Sequence, residues 1–279
     1  MERCVGKLLD YSGAEAQGVI LVDLAWILHR GFHAIPTTAV VDGEEVKTGH
    51  YFSLVKLVVQ AKKNYPFYAF VVCADSFPEK KHEEHSEYKS GRSKRFDLKE
   101  TMINAAKMIS CLPGVYTAIE KGKKADEVMY SLSRSLGLRS MIMSGDNDLL
   151  QSINSTVQVV RSLGDPPLII GQEYVDKKFG VPLEKLLMYR VLRGDDSDNI
   201  GGVMGGRRAK KIIAQCSSMG EVREGLNDIE KELFDRNYSL MKLNVIDPII
   251  WKSDPSEAFN VAVKYRMFTL VSMIKHAGY

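Results

Sequence analysis

The sequence predicts an α/β fold, a mostly parallel central sheet with helices on both faces, followed by a helical second part. Three observations predict it. Between residues 18 and 170, short apolar, β-branched runs alternate with segments of helical spacing, the pattern of repeated strand–helix–strand units. Three of these runs end on or beside an aspartate: Asp23 in GVILVDL, Asp75 in YAFVVCADS and Asp146 in SMIMSGDNDLL. After Gly171 the apolar runs give way to helical spacing broken by Gly- and Asp-rich turns.

Residues 1–17 read as a polar lead-in. Residues 18–24 form a buried strand, because VILVDL is apolar until Asp23. Residues 49–64 have helical spacing, and 66–74 form a second buried strand. Residues 78–100 are charged and apolar-poor, an excursion from the core. Residues 98–112 are helical again, and 113–119 form a short strand. A helix over 125–136 opens with Asp126 and Glu127, acids that suit a helix N-terminus. Residues 140–144 are the third clear strand, with 157–162 and 168–170 closing this part. Helices follow over 172–195 and 207–242. The boundary near 170 gives a first domain, 1–170, and a helical second domain, 171–279. The amphipathic spacing around Val261, Val263, Met267 and Leu270 reads as packing.

The bulk numbers exclude several classes. A chain of 279 residues that is 45% hydrophobic and 26% charged has an ordinary globular composition. None of the four cysteines (Cys4, Cys73, Cys111, Cys216) forms a CxxC pair, so neither a zinc site nor a disulfide framework is indicated. The N-terminus carries Glu2, Asp10 and Glu15, unlike a secretory signal. No run approaches the ~18 apolar residues of a membrane helix, and a reducing cytoplasm is the expected setting. The net charge of +3 hides two acid-free basic stretches, 88–95 (Lys89, Arg92, Lys94, Arg95) and 207–211 (Arg207, Arg208, Lys210, Lys211).

Parallel strands bring their carboxyl ends to one sheet edge, where ligands bind in such folds. Asp23, Asp75, Asp146 and Asp148 would meet there, joined by Asp195, Asp196 and Asp198 of RGDDSDN. Crowded carboxylates stay ionised only with a cation among them. Oxygen-only ligands without histidine spacing favour Mg²⁺ or Mn²⁺ over zinc. Carboxylates holding metal beside basic segments point to phosphate chemistry on a nucleic acid. Lys89 and Arg92 lie three apart, sharing one face of a helix, and Tyr88 and Phe96 could stack on bases. In GDDSDNIGGVMGGRRAKK, glycines 201, 202, 205 and 206 allow a tight turn into a helix whose N–H groups and basic residues face a phosphate backbone.

These residues resemble the flap endonuclease / 5′–3′ exonuclease family, most closely its small bacteriophage members, over roughly residues 18–245. The resemblance runs through Asp23, Asp75, the stretch Tyr88-Lys89-Ser90-Gly91-Arg92, then Ala125-Asp126-Glu127 and Ser144-Gly145-Asp146-Asn147-Asp148-Leu149-Leu150-Gln151. It continues through Gly194-Asp195 to Asn199-Ile200 and Gly202-Val203. It implies a PIN-like nuclease domain, a helical arch and a helix–three-turn–helix that holds duplex DNA. It implies a two-metal phosphodiesterase (two Mg²⁺, with Mn²⁺ able to substitute) cutting 5′ ends or flaps of DNA or RNA–DNA hybrids in replication. Asp75, Asp126, Glu127 and Asp146 would hold one ion, Asp148, Asp195 and Asp198 the other, with Asp23 in or next to the coordination sphere. Lys89 and Arg92 would act on the scissile phosphate. Tyr88, Lys94, Arg95, Gly202, Val203, Gly205, Gly206, Arg207, Arg208, Lys210 and Lys211 would bind DNA. The family also implies a monomer, with a polymerase, clamp or single-strand-binding protein as partner. Two departures stand out. Lys124 occupies a position where the family carries an acid, and the glycine turn is shorter. The alternative this leaves is a DNA-binding replication factor with impaired nuclease activity.

Overall fold

The computed structural model describes residues 16–76 and 98–277. The lead-in over 1–15 and the basic segment with Tyr88, Lys89, Arg92, Lys94, Arg95 and Phe96 lie outside the described residues. Among those described, the chain divides into two compact units: 16–76, 98–169 and 245–277, and then 170–244.

The first unit is built on a seven-stranded sheet. In chain order the strands are β1 (Gly18–Asp23), β4 (Tyr68–Cys73), β5 (Val115–Ile119), β6 (Arg139–Met143), β7 (Val157–Ser162), β8 (Leu168–Ile170) and β9 (Ile249–Trp251). In space their order is β8-β7-β6-β1-β4-β5-β9. β1 pairs in parallel with both β4 and β6, so it lies at the centre. Val19, Leu21 and Val22 of β1 are fully buried, which is why this strand reads as an unbroken apolar run. β9 pairs antiparallel with β5 at one edge. A hairpin of β2 (Thr38–Val41) and β3 (Glu44–Lys47) forms a separate ribbon, turning at Asp42-Gly43 with φ of 53° and 88°. Positive φ at both central residues belongs to a type I′ turn, and Asp-Gly supplies it at low cost.

The helices of this unit are α1 (Leu24–Ala34), α2 (Gly49–Asn64), α3 (Leu98–Ile109), α4 (Ala125–Ser135), α10 (Pro255–Lys264) and α11 (Phe268–His276). Leu24, Ile27 and Leu28 of α1 pack with Leu54 and Val58 of α2 in one core cluster. Met102, Ala105 and Ile109 of α3 join it, as do Ala258 and Ala262 of α10 and Leu270 and Ile274 of α11. Residues 245–277 therefore correct the expected grouping of 171–279. They return to the first unit because β9 completes the sheet and α10–α11 fill its core. Of the residues expected to pack there, Met267 and Leu270 are buried and Val261 packs on the cluster, but Val263 is exposed.

The second unit is helical: α5 (Gln172–Phe179), α6 (Leu186–Arg193), α7 (Gly206–Gln215), α8 (Met219–Glu224) and α9 (Asp228–Met241). The expected helix over 172–195 is broken at Gly180, a left-handed cap with φ 64°, followed by Pro182. Asn227 and Glu230 close a reciprocal capping box at the start of α9. No helix among the described residues is long and apolar enough to cross a membrane.

Candidate metal centre

Because β1, β4 and β6 run parallel, their carboxyl ends share one edge of the sheet. Asp23 ends β1 there, Asp75 follows β4 by two residues, and Ser144-Gly145-Asp146 follows β6. The N-terminus of α4 brings Asp126 and Glu127 to the same edge.

Hydrogen bonds fix each group. Asp23 caps α1, accepting from Trp26 N at 3.0 Å through Oδ1 and from Ser144 Oγ at 2.9 Å through Oδ2. Ser144 Oγ also accepts from Asp146 N at 3.1 Å, and Asp146 Oδ1 accepts from Asp148 N at 2.8 Å. Arg161 donates to the Ser144 carbonyl. Asp75 Oδ1 accepts from Ala125 N at 2.7 Å, which ties the end of β4 to the start of α4. Gly145 is required where it stands, since a Cβ there would run into the Trp26 ring.

The outcome is a triad. One oxygen each of Asp126, Asp146 and Asp148 lies within 4.8 Å of the others, and Asp148 is buried. Asp23 is pushed up to about 7, chiefly by burial and further by the charges of Asp75 and Asp146, against the bonds from Trp26 and Ser144. Asp126 rises to about 6, again through burial first; the Lys124 ammonium opposes the rise and Asp146 adds to it. These are crowded oxygen donors whose mutual repulsion the Lys124 charge offsets only in part, the environment a hard divalent cation fits. Of the four residues expected to hold one ion, Asp126 and Asp146 are in this triad and Asp75 and Glu127 are not, while Asp148, expected at the other ion, is; Glu127 is buried, with Lys123 Nζ 3.7 Å from its Oε1.

The carboxylates of the second unit are handled otherwise. Asp195 Oδ1 accepts from Ser197 N at 2.8 Å and Ser197 Oγ at 2.5 Å, and Arg190 donates to its Oδ2. Burial alone would raise Asp195, but the Ser197 bonds and the Arg190 charge outweigh it and hold the group below its ordinary value. Asp196 is exposed with Arg193 nearby at 3.4 Å, and Asp198 is buried. Gly194 (φ 78°) and Gly202 let two backbones touch, since a Cβ on Gly194 would meet Ile200 O and one on Gly202 would meet Arg193 O. Buried Asn237 clamps this turn, donating to Val191 O and Gly201 O at 2.9 Å each. The turn leads through Val203 and Gly205 to α7, where Ala209 and Ile213 are buried and Arg207, Arg208, Lys210 and Lys211 are exposed. Arg208 pairs with Glu230, and Lys210 lies 5.6 Å over the Tyr189 ring.

A family model of the 5′-3′ exonuclease N-terminal, resolvase-like domain matches residues 18–180. The chain belongs to this family. Among curated 5′-3′ exonuclease relatives, the 5′-3′ exonuclease of Aquifex aeolicus is 28% identical over 235 residues, covering 80% of each chain. The thermostable DNA polymerase I of Thermus filiformis is 29% identical over 223 residues; they are 78% of this chain and 26% of that protein, so the chain matches only about a quarter of the polymerase. The fold is that of bacteriophage T5 5′-exonuclease, solved with zinc bound (TM-score 0.62, 18% identity, 93% of this chain and 97% of that one). Human GEN1 in complex with Holliday junction DNA is also similar (TM-score 0.58, 14% identity, 96% and 73% covered).

Sequence reasoning gave no role of their own to Arg161 and Ser144 at the candidate metal centre or to Asn237 at the glycine turn. Arg161 and Asn237 stand in no motif, and nothing local marks them. Ser144 was legible only as part of SGDNDLL, although its hydroxyl links Asp23 to Asp146.

Proposed function

We propose that the chain is a metal-dependent, structure-specific 5′ nuclease that hydrolyses phosphodiesters at 5′ ends or flaps of DNA or of RNA–DNA hybrids. The observation that carries this reading is the convergence of Asp126, Asp146 and Asp148. These three would hold a divalent ion, Mg²⁺ by preference, with Asp75 and Asp23 beside them. Bound there, such an ion supplies an acidified water and stabilisation of the leaving oxygen. The chain's own part is to fix the ligands in advance. Ser144 spans Asp23 and Asp146, and Asp75 anchors the N-terminus of α4.

For a second ion, Asp195 and Asp198 remain the proposed ligands of this unit; both oxygens of Asp195 already accept hydrogen bonds, from Arg190 and Ser197. The turn at 201–206 and the basic face of α7 suit a phosphate backbone, as a helix–three-turn–helix would. Lys89 and Arg92 remain proposed to act on the scissile phosphate, with Tyr88, Lys94 and Arg95 along the strand. DNA is the proposed partner; a polymerase, clamp or single-strand-binding protein and a monomeric state are family expectations.

The test is a 5′-flapped duplex labelled on the flap, incubated with Mg²⁺ and with EDTA in parallel. Labelled product with Mg²⁺ alone supports the reading. Tight binding with no cutting in Mg²⁺ or Mn²⁺ overturns it in favour of a binding-only factor and makes Lys124→Glu the first reversion.

A further inference from the structure

The glycine turn of the second unit is touched by an arginine that belongs to no motif. Arg236 stands on α9 and is half-buried. Its Nη2 donates to the carbonyl of exposed Gly201 at 3.2 Å. Its Nε and Nη2 both donate to Asn237 Oδ1, at 3.1 and 2.9 Å. The Asn237 amide nitrogen is engaged on Val191 O and Gly201 O, so only its oxygen is left for the arginine. These bonds hold the planar guanidinium against the turn, and Nη1 has no hydrogen-bond partner among the described residues. Charge sets Arg236 apart from its neighbours. Arg190, Arg193, Arg208 and Arg223 each pair with a carboxylate, of Asp195, Asp196, Glu230 and Asp235. Among the described residues no carboxylate pairs with Arg236. Its two acceptors are neutral and need a donor, not a cation. A neutral amide side chain would serve them without the cost of holding a half-buried charge.

We propose that Arg236 is a further DNA-binding residue, its Nη1 donating to a backbone phosphate of a duplex laid along the glycine turn. The proposal rests on the DNA-binding part of the nuclease reading. Three features select a phosphate backbone. A guanidinium already anchored on one side loses little freedom when its remaining donors meet an oxyanion, and such charge-assisted bonds are the strong ones. Gly201 and Gly202 are exposed beside it and carry no side chain to keep a bulky polyanion away; a Cβ on Gly201 would lie 3.8 Å from Arg236 Nη2. The same turn leads into α7, where Arg207, Lys210 and Lys211 are exposed, so Arg236 adds a cation to a basic segment. A contact of this kind fixes the position of the duplex and reads no sequence.

The test is binding of a 5′-flapped duplex in EDTA, read by anisotropy over a series of salt concentrations. The unaltered chain, Arg236→Gln and Arg236→Lys are compared. Arg236→Gln keeps an amide donor and drops the charge. It should weaken binding about tenfold, the scale of one charge-assisted hydrogen bond. It should also reduce the slope of log K against log salt by about 1, the share of one phosphate contact. Arg236→Lys should keep the slope. Misfolding cannot imitate this pattern, because a smaller active fraction shifts log K equally at every salt concentration. In Mg²⁺, single-turnover cleavage by Arg236→Gln should keep its rate at saturating enzyme while the half-saturating concentration rises. A slope unchanged in Arg236→Gln, or lost equally in Arg236→Lys, would overturn the proposal; persistent Mg²⁺-dependent cutting would then leave the nuclease reading intact. The expected loss of slope with no cutting by any of the three chains would overturn the nuclease reading and keep Arg236 as a DNA contact.

Discussion

The two acidic groups of this chain look alike in sequence and behave oppositely in structure. In the first unit, Asp23 and Asp126 are buried near other carboxylates and pushed up to about 7 and about 6. In the second unit, Asp195 is tied to Arg190 and Ser197 and held below its ordinary value. An aspartate cluster therefore says little until its counter-charge is known. Where the protein supplies the cation, the carboxylate is a structural clasp. Where the Lys124 charge leaves Asp126 still raised among other carboxylates, the cluster suits an ion from outside.

The largest expected effect separates the two in activity. Asp148→Asn removes one arm of the triad and should slow cleavage by more than about 100-fold, beyond the loss usual for groups that only support a ligand. Its affinity for flapped DNA, read by anisotropy, should stay within a few-fold. A variant that cuts normally would place the ion elsewhere.

Arg190→Leu tests the clasp. It leaves Asp195 without its counter-charge in a site where both side chains are largely buried, 5% and 15% exposed. Breaking a buried pair on one side costs roughly 3–5 kcal/mol, so the denaturant midpoint should fall sharply. An unchanged midpoint would mean that the pair contributes nothing.

The pH dependence should be smaller and have a defined sign. Asp23 is raised in the folded state, so the fold binds its proton more tightly than the unfolded chain does. Its contribution is complete below about 3.8 and is lost as pH rises through about 7. In EDTA the melting temperature should therefore drop across this window, and Asp23→Asn should flatten the drop. His50 carries the opposite sign: burial lowers it to about 4, so its contribution is lost as pH falls from 6.5 toward 4. A metal-free chain whose stability rises from pH 6.5 to 8 would contradict the Asp23 environment.

The smallest effect concerns α7. Arg207 is exposed, so Arg207→Ala should weaken binding to duplexes of any sequence alike and reduce the salt slope of binding by about 1. A change confined to particular sequences would point to base reading instead.

Much of this was legible because buried parallel strands write themselves as apolar runs. β1, β4 and β6 and their terminal aspartates could be found from composition, and the bounds of α2 coincide with its helical spacing. Elements set by distant partners were not. β9 is three residues long and exists only because β5 offers an edge, so nothing in IIW announces that residues 245–277 rejoin the first unit. The β2–β3 hairpin did carry a local signal, Asp42-Gly43, but its polar Glu44–Lys47 strand has no apolar alternation to flank the turn. The role of Asp195 was hidden for a related reason. RGDDSDN reads as a ligand motif, and only the fold brings Arg190 of α6 onto it.

The most direct test of the central claim is Mn²⁺ titration by calorimetry at pH 8, using the unaltered chain, Asp146→Asn and Asp195→Asn. If the triad is the metal centre, Asp146→Asn should abolish a binding step that Asp195→Asn retains. Retention of all binding by Asp146→Asn, or equal loss in both variants, would contradict the distinction between the two acidic groups.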